Sequence, residues 1–373
     1  VRILHIINDL RVGGAERLLV DLTPRLAAEP DISVDVVALG PSPSPSFLEE
    51  TLVKSDAIPT TLHPAEVRLR SFKQAGLLAE RMQQGDGYDL VHVQLFPAQL
   101  WAAIAVSRLP ARKRPVLITT EQNTYNRRRK ALFRPLDTWM YGRFDHIIAI
   151  SQGTEDALVE WVPACKGRIH IIPNAIEVSR FVNVTPADKT ATLGVSGDTP
   201  VAVCVGRLET QKDHATLLTA LAQVPGLHLA LVGDGELRPE LEAQTKSLNL
   251  TDRVHFLGRR GDIPSLLAMS DIYVQPSRWE GFGIAAVEAM ASGLPAVLSD
   301  VPGLREVVDD AGLRFPVGDA AALADRLNQL LRNPDEGKRL GALGRERSQQ
   351  FSLENCTAAH VALYKEAVRQ RRG

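Results

Sequence analysis

An apolar run, a glycine turn and an amphipathic helix open the chain, and the same succession begins again near residue 200. Residues 1–7, Val-Arg-Ile-Leu-His-Ile-Ile, lack the strict alternation of a strand with one wet face and read as a strand buried on both sides. They end in Asn8-Asp9-Leu10-Arg11-Val12-Gly13-Gly14, after which residues 15–28 carry a helical period. Further strands are expected at 33–39, 89–94, 116–120, 146–150 and 169–174, with helices at 71–84, 97–108 and 152–161 between them. In the second series, 200–205 reads as a strand, 206–213 as a loop and 214–223 as a helix. Strands follow at 227–232, 254–257, 271–277 and 296–300, then helices at 319–332 and 335–350. Such alternation calls for parallel sheets with helices on both faces. A length of 373 residues also exceeds what one core organises. The expected division is a first domain over 1–174, a weakly periodic linker over 175–199 and a second domain over 200–352.

Composition restricts the partners more than the activity. Hydrophobic residues at 45% and charged residues at 23% are ordinary for a globular protein in water. A net charge of −1 supplies no global field for nucleic acid. Cys165, Cys204 and Cys356 stand far apart without metal-ligand spacing, which points to a reducing compartment and to no disulfide frame. The opening residues read as a strand and not as a signal peptide, and no apolar run is long enough to span a bilayer. A cytoplasmic protein is therefore expected. Pro41-Ser-Pro-Ser-Pro-Ser46 reads as a surface loop, because the strand and helix pattern resumes after it.

The stretch that carries chemistry is Trp279-Glu-Gly-Phe-Gly-Ile-Ala-Ala-Val-Glu-Ala-Met-Ala-Ser-Gly293. Gly281 and Gly283 make a loop that lets backbone approach a ligand, and a helix is expected from Ile284 to Gly293. Glu288 is the one charge between Ile284 and Ala291, and a carboxylate on so apolar a helix needs a partner. Glu280 stands in the loop ahead of it. One reading makes Glu288 a cap for a neighbouring N–H and Glu280 a solvated loop residue. The other places a phosphate at the helix N-terminus, where N–H groups and the dipole favour an anion, and gives polyol hydroxyls to the two carboxylates. Gly13-Gly14 allows the same pair of readings, a tight turn or a phosphate cradle. Arg207 and Lys212 leave a strand at its carboxyl end. Arg can grip two phosphate oxygens and Lys adds a compact point charge. Asp234-Gly235-Glu236 reads as turn chemistry, and no metal site is expected.

Glu280, seven intervening residues and Glu288, inside Pro-Ser-x-x-Glu-Gly-Phe-Gly, resemble the signature of retaining glycosyltransferase family 4; Gly-Arg-Leu and the later Lys212 resemble its diphosphate-binding segment. The resemblance covers nearly the whole chain, with its sharpest motifs in the second half. It implies the GT-B fold, two facing doubly wound, Rossmann-like α/β domains with a cleft between them. It also implies a last helix, 353–373, that packs back on the acceptor-binding first domain. The implied reaction moves a sugar from a nucleotide-diphosphate donor, UDP-linked or GDP-mannose, to a hydroxyl of a glycan or lipid-linked acceptor, with retention and without a metal. The nucleotide sugar is a co-substrate and no cofactor is implied.

By this resemblance Arg207, Lys212 and the N–H groups of Phe282, Gly283 and Ile284 hold the diphosphate, Glu280 the sugar hydroxyls and Glu288 the ribose. Gly13 and Gly14 close over the donor, and the loops around Gly235, Arg259 and Ser277 meet the base. Many family members carry a histidine in the loop where Gln122 stands. Gln can bond a hydroxyl but cannot carry a proton, so Glu121 and Gln122 are expected only as sugar or acceptor contacts. An epimerase of the same architecture and a non-catalytic nucleotide-sugar binding partner are the competing functions.

Residues 108–143 hold ten Lys and Arg against Glu121 and Asp137, interleaved with Leu132, Phe133, Leu136, Trp139, Met140 and Tyr141. Two readings stand: a solvated helix packing its apolar stripe on the domain, or contact with an anionic membrane through 127–143. Nucleic acid lacks any reader motif here.

Overall fold

The computed structural model describes residues 1–11, 13–41, 48, 51–52, 60–62, 67–125 and 129–372. The proline–serine stretch lies, from Ser42 on, outside the described residues. The chain forms two compact units, one of Val1–Ala175 with the segment from Leu353 onward, the other of Ile176–Ser352.

Unit 1 holds seven parallel strands: β1 (Arg2–Ile7), β2 (Ser33–Ala38), β3 (Thr60–Leu62), β4 (Leu90–Gln94), β5 (Val116–Glu121), β6 (His146–Ala149) and β7 (Ile169–Ile171). Their order in the sheet is β3-β2-β1-β4-β5-β6-β7. Successive side chains of a strand point to opposite faces, and the core divides accordingly. Ile3 and Ile118 join one cluster with Leu19 and Tyr364, whereas Leu4 and Leu117 join another with Ala102 and Phe144. The first cluster lies under helices Gly14–Ala27 and Leu353–Arg372, the second under Lys73–Met82, Ala98–Arg108 and Arg134–Tyr141.

Unit 2 holds β8 (Val201–Val205), β9 (His228–Val232), β10 (Val254–Gly258), β11 (Ile272–Gln275), β12 (Ala296–Ser299) and β13 (Gly312–Phe315), all parallel in the order β10-β9-β8-β11-β12-β13. The expected linker is corrected. Residues from Ile176 to 199 belong to unit 2: Val178 and Phe181 are buried, Ala187 N–H donates to Ser265 O at 3.0 Å and Lys189 pairs with Asp271 at 3.0 Å. Isolated anchors of this kind leave no periodic trace in sequence. Two short strands, β3 (Thr-Thr-Leu) and β13 (Gly-Leu-Arg-Phe), escaped the sequence reading because neither is a continuous apolar run.

Where β1, β4 and helix Leu353–Arg372 meet, three imidazoles are sealed from solvent. His92 bonds Tyr364 OH at 2.6 Å and Thr120 Oγ1 at 2.7 Å through its two ring nitrogens. His360 Nδ1 meets Cys356 O at 2.8 Å. His5 lies with its ring centroid 5.0 Å from that of His92, and neither of its nitrogens has a partner among the described residues. Burial, helped by His360, pushes His5 down to about 3, and burial brings His360 to about 4 and His92 well below the ordinary value. The native state thus holds these rings neutral while an unfolded chain protonates them near pH 6.5. Stability is complete above that pH and is lost as pH falls toward the native values, at about 1.4 kcal/mol per pH unit for each ring. Denaturant midpoints followed by Trp101, Trp139 and Trp161 fluorescence are expected to drop between pH 7.5 and pH 5. His5→Leu, which removes two unpaired buried nitrogens, is expected to raise the midpoint and shallow that slope; an unchanged slope would refute this account of the cluster.

Candidate active site

Two loops of unit 2, each leaving the carboxyl end of a strand, build the site. The first leaves β8, where Gly206, Leu208 and the turn Thr210–Lys212 run close to the loop after β9. A Cβ at Gly233 would collide with Gly206 O, and one at Gly235 with Leu208 O. Leu208 N–H donates to Asp234 O at 3.1 Å and Leu237 N–H to Leu208 O at 3.0 Å. Asp213 ends the loop at φ 48°, a left-handed conformation that Asp tolerates better than most residues.

The second loop leaves β11 and leads into helix Ile284–Ala291. Gly283 caps that helix at φ 104°, and a Cβ there would lie 2.5 Å from Leu304 Cδ2. No side chain caps the helix, and the N–H groups of Phe282, Gly283 and Ile284 meet no acceptor among the described residues. Helix Pro302–Val308 supports the loop from below: a Cβ at Gly303 would sit 2.6 Å from Glu280 O and 2.7 Å from Gly281 C. At the other end of helix Ile284–Ala291, Arg345 Nη2 donates to Ser292 O at 3.0 Å. A cation placed there complements the helix dipole.

Polar groups tie the two loops together. Lys212 Nζ pairs directly with Glu280 Oε2, both side chains being largely buried. Gln275 Nε2 donates to the same oxygen at 2.8 Å and Ser277 Oγ at 3.3 Å. Gln211 Nε2 donates to Trp279 O at 3.1 Å, and Arg278 N–H returns to Gln211 O at 2.8 Å. Arg278 also pairs with buried Asp213 at 3.3 Å. Arg207 points outward, 69% exposed, with Nη1 2.9 Å from Glu209 Oε1. Glu288 is half-buried on the helix, and Arg259 is exposed. Burial first, then Lys212, lowers His214 to about 4, while burial pushes Cys204 up to about 12 despite Lys212.

Ser277 is fully buried, its hydroxyl turns to Glu280 and its carbonyl accepts from Ser299 Oγ at 2.5 Å, so its side chain orients Glu280. Gln275, Gln211 and Gly303 were missed. The available signal was a glutamine two residues after Tyr273 on an otherwise apolar buried strand, which puts both side chains on one face.

In unit 1, Gly13 precedes helix Gly14–Ala27 in an extended conformation, and the Glu16 carboxylate lies against it. Glu121 ends β5, is buried and accepts a hydrogen bond from Tyr141 OH. Gln122 Oε1 accepts from Asn174 Nδ2 at 3.1 Å; Gln122 Nε2 and Asn174 Oδ1 are buried without a partner among the described residues. Among the described residues no group of three or more His, Cys, Asp or Glu side chains is arranged to hold a metal ion.

Two doubly wound parallel-sheet units, the second with an uncapped helix N-terminus beside a lysine–glutamate pair, have the layout of a GT-B glycosyltransferase. Comparison with known proteins agrees. The profile of glycosyl transferases group 1 matches residues 188–347 and that of glycosyltransferase family 4 matches residues 12–180. A D-inositol 3-phosphate glycosyltransferase of Xylanimonas cellulosilytica is 29% identical over 80% of this chain and 76% of its own. The sucrose-phosphate synthase of Thermosynechococcus elongatus superposes with a TM-score of 0.82 at 25% identity, over 98% of both chains. Anabaena HepE, solved with UDP and glucose, gives 0.82 at 23% identity over 97% of this chain and 99% of its own. The chain belongs to the group 1, family 4 glycosyltransferases of GT-B fold, enzymes that use nucleotide-sugar donors.

The contact of Gly303 with the 280–281 backbone makes a specific demand. Gly303→Ala has no flexible neighbour to displace, so the loop itself must shift. A loss of donor turnover on the order of tenfold to a hundredfold is expected, with a drop in stability of about 1–3 kcal/mol. Parental kinetics in Gly303→Ala would show that the loop position is not critical.

Proposed function

We propose that this enzyme is a retaining, metal-independent glycosyltransferase that moves a sugar from a nucleotide-diphosphate donor, preferably a UDP-sugar, to a hydroxyl of a glycan or lipid-linked acceptor in cell-surface polysaccharide or lipopolysaccharide synthesis. The observation that carries this is the Lys212–Glu280 pair beside the uncapped N-terminus of helix Ile284–Ala291. In that arrangement Lys212, Arg207 and the N–H groups of Phe282, Gly283 and Ile284 receive the diphosphate, fixed charge and dipoles meeting the negative charge that grows as the glycosidic bond breaks. Glu280 takes hydroxyls of the transferred sugar and Glu288 those of the ribose. Gly235 and Arg259 flank the base. In unit 1, Gly13 and Gly14 offer backbone to the donor, and Gln122 bonds a sugar or acceptor hydroxyl. Retention follows if the departing phosphate accepts the acceptor's proton on the face it leaves.

A panel of UDP, GDP, UDP-glucose and GDP-mannose in a thermal-shift assay tests the donor. A ligand that binds only the folded chain at a hundred times its Kd adds about 2.7 kcal/mol. Parent protein should shift with UDP ligands. Lys212→Ala and Glu288→Ala should lose most of that shift and of the turnover, and turnover in the parent should survive EDTA. Full activity in either variant would remove that residue's role.

We further propose that the enzyme works at the cytoplasmic face of an anionic membrane. Leu132 is 83% exposed, and Phe133, Leu136 and Trp139 are exposed beside Lys130, Arg134 and Arg143. Apolar side chains among cations suit an anionic lipid surface. Arg127 and Arg128, part of the same basic stretch, lie outside the described residues. Co-sedimentation with vesicles of phosphatidylglycerol is expected, weaker with phosphatidylcholine and weakened again by Leu132→Ser with Leu136→Ser. Equal recovery with both lipids would remove the membrane from the account. No helix among the described residues is long and apolar enough to cross a membrane.

A further inference from the structure

Glu280 does not hold its orientation alone. Gln275 ends β11 only 1% exposed, and its amide bridges two groups. Its Oε1 accepts from Tyr273 OH at 2.8 Å, while its Nε2 donates to Glu280 Oε2 at 2.8 Å and lies 3.3 Å from Ser277 Oγ. The orientation of the amide is dictated from both ends. Flipped, its oxygen would face the Glu280 carboxylate, acceptor against acceptor, so Nε2 must point there. That leaves Oε1 needing a donor, and Tyr273 supplies one. Burial, with Cys204, Glu288 and Glu280 adding to it, holds the Tyr273 phenol well above its ordinary value, so it keeps its proton. Tyr273 is itself fully buried, and two residues along a strand put it on the face of Gln275.

We propose that Gln275 is a positioning residue for Glu280, its amide locked by the Tyr273 hydroxyl so that the carboxylate is held in one orientation beside Lys212. The proposal rests on the reading that Glu280 meets the donor sugar. A neutral amide suits the task. It donates to the carboxylate without adding a second buried cation that would compete with Lys212 for it. Lys212 alone would fix a distance but not a direction, since an ammonium is a rotating point charge. Tyr273 acts only through Gln275, which makes its effect conditional.

The variants are Gln275→Met, of similar length without a donor; Gln275→Glu, of the same shape; Tyr273→Phe; their Met/Phe double; and Glu280→Gln. Turnover of UDP-glucose and GDP-mannose is measured with UDP affinity and thermal midpoint. Gln275→Met is expected to lower kcat on the order of tenfold to a hundredfold and to leave UDP affinity within about twofold, because the diphosphate ligands remain. Gln275→Glu should acquire a fall in kcat with rising pH that the parent lacks, since the second of two carboxylates this close keeps its proton until the pH is raised and, once ionised, repels Glu280. A role confined to packing would give neither the split nor the pH limb. Tyr273→Phe should reduce kcat in the parent and have no further effect in the Met background. Independently of any substrate, the Gln275 side-chain amide resonances, identified by their loss in Gln275→Met, should shift in Tyr273→Phe and in Glu280→Gln. Parental kcat in Gln275→Met alongside an impaired Glu280→Gln would overturn the positioning role alone. Full turnover in Glu280→Gln would instead remove the donor-sugar role of Glu280. Amide resonances that ignore both neighbours would overturn the relay.

Discussion

The ion pair of Lys212 with Glu280 is the contact on which the two site loops of unit 2 are built. Both groups are largely withdrawn from water, where an isolated charge is too costly to keep. A buried pair offsets that cost only when further hydrogen bonds complete it, and here Gln275 and Ser277 do so on the same oxygen. The consequence is mechanical as much as electrostatic. The loop after β8 and the loop after β11 cannot move independently, because Gln211 and Arg278 repeat the connection through backbone and Asp213 through charge. Removing one partner would leave the other charged and unmatched, which explains why two loops far apart in sequence behave as one element.

Around that element, glycines let backbone stand where side chains would not fit. Gly233 and Gly235 bring the loop after β9 against the β8 loop, and Gly303 brings a helix against the backbone of Glu280 and Gly281. Helix Ile284–Ala291 is only eight residues long, too short to hold its direction by its own hydrogen bonds. Its direction comes from packing: Gly341 lies against Gly293 O, Gly344 against Met290, and Arg345 bonds Ser292 O. An uncapped N-terminus is useful for an anion only if it stays aimed. The remote glycine contacts of helix Pro334–Ser348 therefore hold the aim of that N-terminus.

Much of this was legible in sequence because parallel strands buried on both faces leave continuous apolar runs, and eleven of the thirteen strands were readable that way or by position. The end of β7 was overread, since Ile172 and Asn174 are buried without pairing as strand. Residues 176–199 looked like a linker because their anchors, Val178, Phe181 and Lys189, obey no period. The site was legible where charge or glycine stood out from an apolar background: Glu280, Glu288, Arg207 and Lys212. It was illegible where meaning lies in a pairing. Ser277 looked like a loop hydroxyl until Glu280 and Ser299 were seen to claim it. Glu121 looked available until Tyr141, twenty residues on, was found bonded to it. Gln275 carries no signal alone; only Tyr273 on one side and Glu280 on the other define it.

The two units share a plan and differ in what they bury. Unit 2 gathers full charges at the carboxyl ends of its strands, and its buried ones are matched: Lys212 by Glu280, Asp213 by Arg278. Unit 1 places buried amides there, with the Asp9–Arg11 pair at 3.3 Å after β1 nearer to solvent. Gln94 ends β4 and is 2% exposed with Oε1 unpartnered among the described residues, and the Gln122–Asn174 pair leaves one donor and one acceptor in the same condition. Even its carboxylate, Glu121, is covered by a phenol. Charges fixed in advance suit a ligand that is itself an anion and gains charge during reaction. Amides suit hydroxyls, which need one donor and one acceptor each and would lose more than they gain from a bare buried ion. Under the proposed function, the charged strand ends of unit 2 would meet the diphosphate and the amides of unit 1 the saccharide hydroxyls.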